Sequence, residues 1–349
     1  RGPRCSRRAA AEAEGPDAGR IRAAPPPGRA GEARGRAMLR LIAGRLVQIA
    51  ATLVILSALT WLAMGLMPGD PLDLALLADP ALTAADVERM RALHGLDRPL
   101  HERYLAWAAA VLRGEFGYSR LYALPAAAVL WPALGSTLVL LGCALSLALV
   151  AGVGLGVLAA VRPRAAPAAD AFAILAQSTP SFWLGILLII LFAVTLGWLP
   201  AGGVAEEPGL WPALRFLALP VATLAIVNSA AYLRHSLAAM QAELWQPYIR
   251  TARMKGLPER VVIWRHAFPN AAIPIVTITA LDAGALVSGA LITETIFARP
   301  GMGRLIYDSI MGNDYNLALL ALLLAALVTM LATLAADVAQ RLLDPRLGG

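Results

Sequence analysis

The sequence is poor in the residue types on which most soluble chemistry depends. It holds one lysine, two cysteines and four histidines in 349 residues, and only 15% of its residues are charged. The single lysine excludes a phosphate-binding loop of the form G-x-x-x-x-G-K-[ST], because Lys255 follows Thr251, Ala252, Arg253 and Met254 and precedes Gly256 and Leu257. This chain does not hydrolyse ATP by that route. Cys5 falls in a polar N-terminal stretch and Cys143 in an apolar run, so neither a disulfide framework nor a thiolate metal site is on offer. His94, His101, His235 and His266 flank apolar runs rather than sit within them, and no HExxH occurs. A Ser/His hydrolase inside a membrane is excluded on that placement, and neither catalytic residues nor metal ligands are expected.

Apolar length is what the sequence has in abundance. Hydrophobic residues make up 58% of it and the mean hydropathy is +0.65, far outside the balance of a soluble domain. Charge-free runs occupy 46–67, 133–161, 171–200, 216–233 and 315–336, and 271–293 is interrupted only by Asp282. A bilayer core takes roughly 17 to 25 residues of helix. The expectation is an all-α, multi-pass membrane protein with six transmembrane helices, the second and third runs overhanging the membrane.

The pI near 10 invites a nucleic-acid reading, but the charge is badly placed for one. Nine arginines against four acids in residues 1–37 carry five of the seven net positive charges. No basic surface with interleaved aromatics follows, so no nucleic-acid partner is expected. Residues 1–37 are rich in Ala, Arg, Gly and Pro and lack large apolar side chains, which predicts a disordered tail or an over-extended start before Met38.

Orientation follows from the short flanks of the runs. Arg40 and Arg45 precede the first, Arg162 and Arg164 separate the second and third, a basic segment separates the fourth and fifth, and Arg341 and Arg346 follow the sixth. Six spans put all of these on one side, the cytoplasm, with both termini inside. The domain plan is then a first helix at 38–67, an outer segment at 68–132, and a core of five helices at 133–349. Within the outer segment, LTAADVERMRALHGL suggests a small folded cap, with Thr83 starting a helix and Gly95 ending it.

The basic segment, 234–270, is not built like a tether. Residues 243–254 have helix-forming composition, Gly256 suits a left-handed helix stop, and Pro258 suits the first turn of a second short helix. Ile263, Trp264 and Phe268 give that second piece an apolar side. Two short helices at a tight turn, rimmed by Arg and Lys, make a compact docking knob.

The motif Tyr248, Thr251, Ala252, Lys255, Gly256, Leu257, followed by His266, Asn270 and Pro274, resembles the EAA loop of ABC-importer permeases of the dipeptide/oligopeptide/nickel family. The likeness continues through TETIFARPGMGRL (293–305), STPSFW, HGLDRPL, PGDP and DPR, and so covers nearly everything from Met38 onward. It is similar to the first-permease type, with a long outer segment after helix one. Arg250 and Thr251 stand where the general pattern has Glu and Ala, Pro269 where a basic residue is common, and NDYNLAL where DYP is more usual.

That resemblance implies a permease subunit of an ATP-driven, binding-protein-dependent importer in a bacterial inner membrane. It implies a second permease, two cytoplasmic ATP-binding subunits and an extracytoplasmic solute-binding protein as partners, with ATP and Mg held by those subunits and no cofactor in this chain. Substrates would be di- or oligopeptides, with nickel chelates, glutathione or another small solute as alternatives. ATPase coupling would fall to Tyr248, Arg250, Thr251, Ala252, Arg253, Lys255, Gly256, Leu257, His266 and Asn270. Glu294, Phe297, Pro300, Gly301 and Gly303 would form an outer gate or binding-protein contact.

Inside the runs, Gln177, Ser178, Thr179, Asn228 and Asp282 are candidate pathway residues, because polar groups at membrane depth are costly unless paired or functional. Pro180 predicts a kink after the first three. Helix packing is an equal reading for all of them, and the better one for Gly152, Gly154 and Gly156. An ion-coupled carrier acting alone could use Asp282, although no inverted repeat is evident.

Overall fold

The computed structural model describes residues 27–66 and 98–343, with the side chains of 27–35, 37, 280–289, 342 and 343 outside the described residues. Ten α-helices are labelled here. α1 (Pro27–Gly65) is followed by α2 (Leu100–Leu112) and α3 (Ala126–Val161). A 3-10 turn leads into α4 (Ala166–Ser178) and α5 (Ser181–Leu188), and α5 continues as a π-helix, Ile189–Thr195. Then come α6 (Leu210–Leu244), α7 (Pro247–Met254), α8 (Phe268–Ile296), α9 (Met302–Met311) and α10 (Tyr315–Leu343).

Among the described residues five helices are long and apolar enough to cross a membrane, or six if α4 and α5 together make one crossing. The third charge-free run is therefore not a kinked helix but a broken one. Its halves, Pro163–Ser178 and Ser181–Thr195, meet at 102°. The cause is local: Pro180 forces Thr179 out of the helical region, to φ −90° and ψ 119°. Thr179 then turns its N–H and its hydroxyl to Leu175 O, at 3.1 and 2.7 Å.

Several helices outrun the charge-free windows that announced them. α6 continues beyond Leu233 through RHSLAAMQAEL, and α1 begins at Pro27 rather than Met38. Residues 27–37 extend that helix at its start; once a span is nucleated, residues such as Arg, Ala and Glu propagate it cheaply. Residues 1–26 lie outside the described residues.

α3 and α6 make the most extensive helix–helix contact among the described residues. A Cβ on Gly152 would stand 2.5 Å from Ser229 O, and one on Gly156 2.6 Å from Leu233 O, so the two backbones meet at these glycines. Gly154, on the opposite face, has open space around it and does not share that role. α8 packs against α10 and α6, and α1 lies outermost against α10. Arg45 of α1 and Asp337 of α10 are ion-paired at 2.5 Å.

Of the outer segment, PGDP, Thr83 and Gly95 lie outside the described residues. Its described end is folded onto the bundle. Tyr104 and Trp107 of α2 cluster with Trp61 of α1, with centroids 5.6 to 6.2 Å apart, and Trp107 Nε1 donates to Asn316 Oδ1 at 3.0 Å. The DPR motif near the C-terminus also lies outside the described residues.

Candidate functional site

Two clusters of predicted residues sit at opposite ends of α8, a helix about 43 Å long at 1.5 Å per residue.

The first is the knob around α7. Trp245 and Gln246 break the expected 243–254 helix, and Pro247 opens a new one at a position where its missing N–H costs nothing. α7 ends in a complete Schellman turn: Gly256 N–H donates to Arg253 O at 3.0 Å and Leu257 N–H to Ala252 O at 3.4 Å. Gly256 has φ +75°, which a residue with a Cβ adopts only under strain. The second half differs from expectation. Glu259–Val261 and a π-helical stretch, Val262–Ala267, run directly into α8, so the knob is one short helix plus the root of a long one. No Pro or Gly separates Glu259 from Phe268 to stop the helix.

Ile249 (0% exposed) and Ala252 seat α7 against Val157, Met240, Val262, Ile263 and Ala267. Ala252 therefore faces its own subunit. Tyr248 Oη donates to the Glu243 carboxylate and accepts from Asn270 Nδ2 at 2.9 Å, while Asn270 Nδ2 also reaches His266 O at 3.2 Å. Burial and the Glu243 carboxylate hold the Tyr248 phenol above its ordinary pKa. Arg253 Nε and Nη2 grip both oxygens of Glu259, at 3.2 and 2.6 Å, across the Gly256 turn. Arg250 lies 6.0 Å from the Trp245 ring centroid, and Thr251 Oγ1 donates to Pro247 O at 3.1 Å. At the tip the Lys255 side chain makes no hydrogen bond or ion pair among the described residues, and Met254, Leu257 and Trp264 are exposed, as are Arg260 and Arg265.

The second cluster closes around Glu294, which is 0% exposed. Its carboxylate accepts from Thr137 Oγ1 at 2.5 Å, Gly303 N–H at 2.8 Å and Arg304 N–H at 3.3 Å. Thr137 Oγ1 in turn accepts Met302 N–H at 2.8 Å. Gly301 leaves the space that Glu294 fills: a Cβ there would lie 2.1 Å from Oε1. Gly303 is needed for close approach to Leu291. Phe297 is buried under Gly185, and its carbonyl accepts Gly203 N–H at 2.7 Å. Four of the five predicted residues, Glu294, Phe297, Gly301 and Gly303, are thus parts of one packed corner, and Pro300 lines a cavity beside it. Thr137, the centre of the corner, escaped the sequence reading because it sits in an apolar run with no local signal.

No hydrogen bond joins one predicted intramembrane polar residue to another among the described residues. Gln177 and Ser178 are exposed at the broken end of α4. Asn228 Nδ2 donates to Leu224 O at 2.7 Å and Ser229 Oγ to Ile226 O at 2.8 Å, both within α6. The Asp282 side chain lies outside the described residues. No cluster of metal-ligating side chains occurs among the described residues.

Comparison with known proteins meets this geometry. Residues 152–349 match the family model "Binding-protein-dependent transport system inner membrane component", and residues 38–138 match its N-terminal companion model. A protein of Brucella ovis named as a peptide permease is 34% identical over 316 residues, covering 89% of this chain and 99% of that protein. The oligopeptide transport system permease protein AppB of Bacillus subtilis is 33% identical, covering 84% and 94%. The glutathione transport system permease protein GsiC of Escherichia coli is 34% identical, covering 88% and 98%. A solved amino acid ABC transporter aligns at 17% identity and a TM-score of 0.48, over 62% of this chain and 94% of that one.

Proposed function

The chain belongs to the family of binding-protein-dependent transport system inner membrane components, and we propose that it forms half of a peptide-import pathway driven through α7. It is a permease subunit of an ABC importer. The peptide assignment leans on relatives named for peptides and oligopeptides, and the relative named for glutathione keeps a small peptide-like thiol as the second reading.

The observation that carries the coupling role is the continuity of the knob with α8. α7 is seated by Ile249, tied by Tyr248 to Glu243 and Asn270, and stapled by Arg253 to Glu259 at the root of α8. A displacement of the exposed tip is therefore passed into one helix, whose far end carries Glu294. The tip offers a cytoplasmic ATP-binding subunit what a docking element needs: Met254 and Leu257 to bury, and Lys255 to make charge-assisted hydrogen bonds. Two ATP-binding subunits, a second permease and an extracytoplasmic binding protein complete the machine. The basic flanks support a cytoplasmic side for the knob and both termini, and with it an outer side for the Glu294 corner.

The test is ATPase activity and short-peptide uptake in proteoliposomes holding the complete complex, with Lys255→Glu and Gly256→Pro compared with the parent chain. Proline cannot take φ +75° and lacks the N–H that Gly256 gives to Arg253. Loss of binding-protein-stimulated ATPase and uptake, with the complex still assembled, supports coupling through the knob. Parental activity in both variants sinks it.

A further inference from the structure

Beside the Glu294 corner lies a cavity of about 720 Å³, lined among others by Tyr122, Pro132, Ser136, Arg299, Arg304 and Asp308. Its charges are unequal. Arg304 Nε lies 3.4 Å from Asp308 Oδ2 and is paired. Arg299 has no such ion pair among the described residues: the residue is only 8% exposed, and its Nε–H meets no acceptor. Ser136, which also lines the cavity, has a buried Oγ without a hydrogen-bond partner among the described residues.

Arg299 and Glu294 attract one another electrostatically, but that attraction leaves the Arg299 Nε–H without an acceptor. The Glu294 carboxylate already accepts from Thr137, Gly303 and Arg304, and no ion pair joins it to Arg299 among the described residues. The backbone around Arg299 is nevertheless fixed. Arg299 N–H donates to Glu294 O at 2.8 Å, Gly301 N–H donates to Arg299 O at 2.9 Å, and Ala298 is held at φ 48°. A buried, pre-positioned guanidinium with an open donor is an unfinished hydrogen-bond set. Its planar fork matches both oxygens of a carboxylate, and the cavity is of the size that holds small ligands.

We propose that Arg299, assisted by Ser136 Oγ, is a carboxylate-recognition point in this cavity and takes the C-terminal carboxylate of an incoming short peptide. The identity of that carboxylate rests on the peptide reading above; the site itself does not.

The test separates the two. A single cysteine at Val204, an exposed residue of the cavity wall, is introduced with Cys5 and Cys143 replaced by serine, and the complete complex is placed in nanodiscs. Its modification by an anionic and by a cationic methanethiosulfonate is timed with and without trialanine or trialanine amide. Trialanine should slow modification and the amide should not. Arg299→Gln should weaken that protection about tenfold, the scale of one lost charge-assisted hydrogen bond, and lower the anionic-to-cationic rate ratio. Arg299→Lys should keep the ratio and part of the protection, which distinguishes lost charge from a disturbed fold. Equal protection by the two probes, no protection by trialanine, or an unchanged profile in Arg299→Gln overturns the site. Trialanine that protects but is not taken up by the full transporter overturns the peptide reading and leaves the site standing.

Discussion

Ser119 and Asp314, 195 residues apart in sequence, are joined by a 2.6 Å hydrogen bond that locks the loop before α3 onto the start of α10. The same carboxylate accepts Arg120 N–H at 2.7 Å, Leu121 N–H at 3.1 Å and, through its other oxygen, Leu317 N–H at 3.2 Å. Asp314 is 0% exposed. It therefore caps a transmembrane helix and organises a loop at once. Asp314→Ala leaves several buried donors open and should cost about 1–3 kcal/mol for each one that water does not reach. A thermal-unfolding scan of the assembled complex should show a clear fall in apparent Tm. A Tm equal to the parent's would mean that the loop is held by something else.

The small-residue face of α3 should respond position by position. Gly152→Ala places a methyl 2.5 Å from Ser229 O, whereas the Cβ of Gly154→Ala meets nothing within 4 Å. Overpacking of this kind typically costs about 1–3 kcal/mol. Gly152→Ala should lower complex yield and Tm while Gly154→Ala matches the parent, and equal behaviour would contradict the α3–α6 contact described above.

Thr137 both donates to Glu294 and accepts from Met302. Thr137→Val keeps the shape and removes both bonds, so a loss of about 1–3 kcal/mol is expected for a buried group left unpaired. Thr137→Ser keeps the hydroxyl and should retain most of the stability. Uptake and Tm measured together on the two variants decide whether the hydroxyl or the methyl matters.

Within the knob, the buried seat should matter more than the visible ion pair. Glu259 and Arg253 are each about half exposed, and such pairs contribute about 0–1 kcal/mol, so Glu259→Gln should change Tm little. Ile249→Ala empties a fully buried site and should cost about 2–5 kcal/mol locally. Binding-protein-stimulated ATPase should fall in Ile249→Ala and survive in Glu259→Gln; the reverse order would make the ion pair the anchor.

The parts of this architecture that depend on local chemistry were readable before any coordinates. Charge-free runs announced long apolar helices, and Gly256 announced the end of α7. Long-range partnerships were not. Thr137 and Glu294 lie 157 residues apart, and nothing near Thr137 distinguishes it from its apolar neighbours. The fusion of the knob into α8 was missed because Pro258 suited both a separate short helix and the root of a long one. The 102° break was underestimated because Thr179 and Pro180 signal where a helix yields, not how far it turns.

The exposed tip also makes this subunit simple to address chemically. Lys255 is the chain's only side-chain amine and is exposed at the C-terminal end of α7. An amine-reactive dye applied to the assembled transporter would thus mark this subunit's side chains at one position. Its brightness or accessibility would report, in real time and without an engineered residue, whether that face is covered or bare.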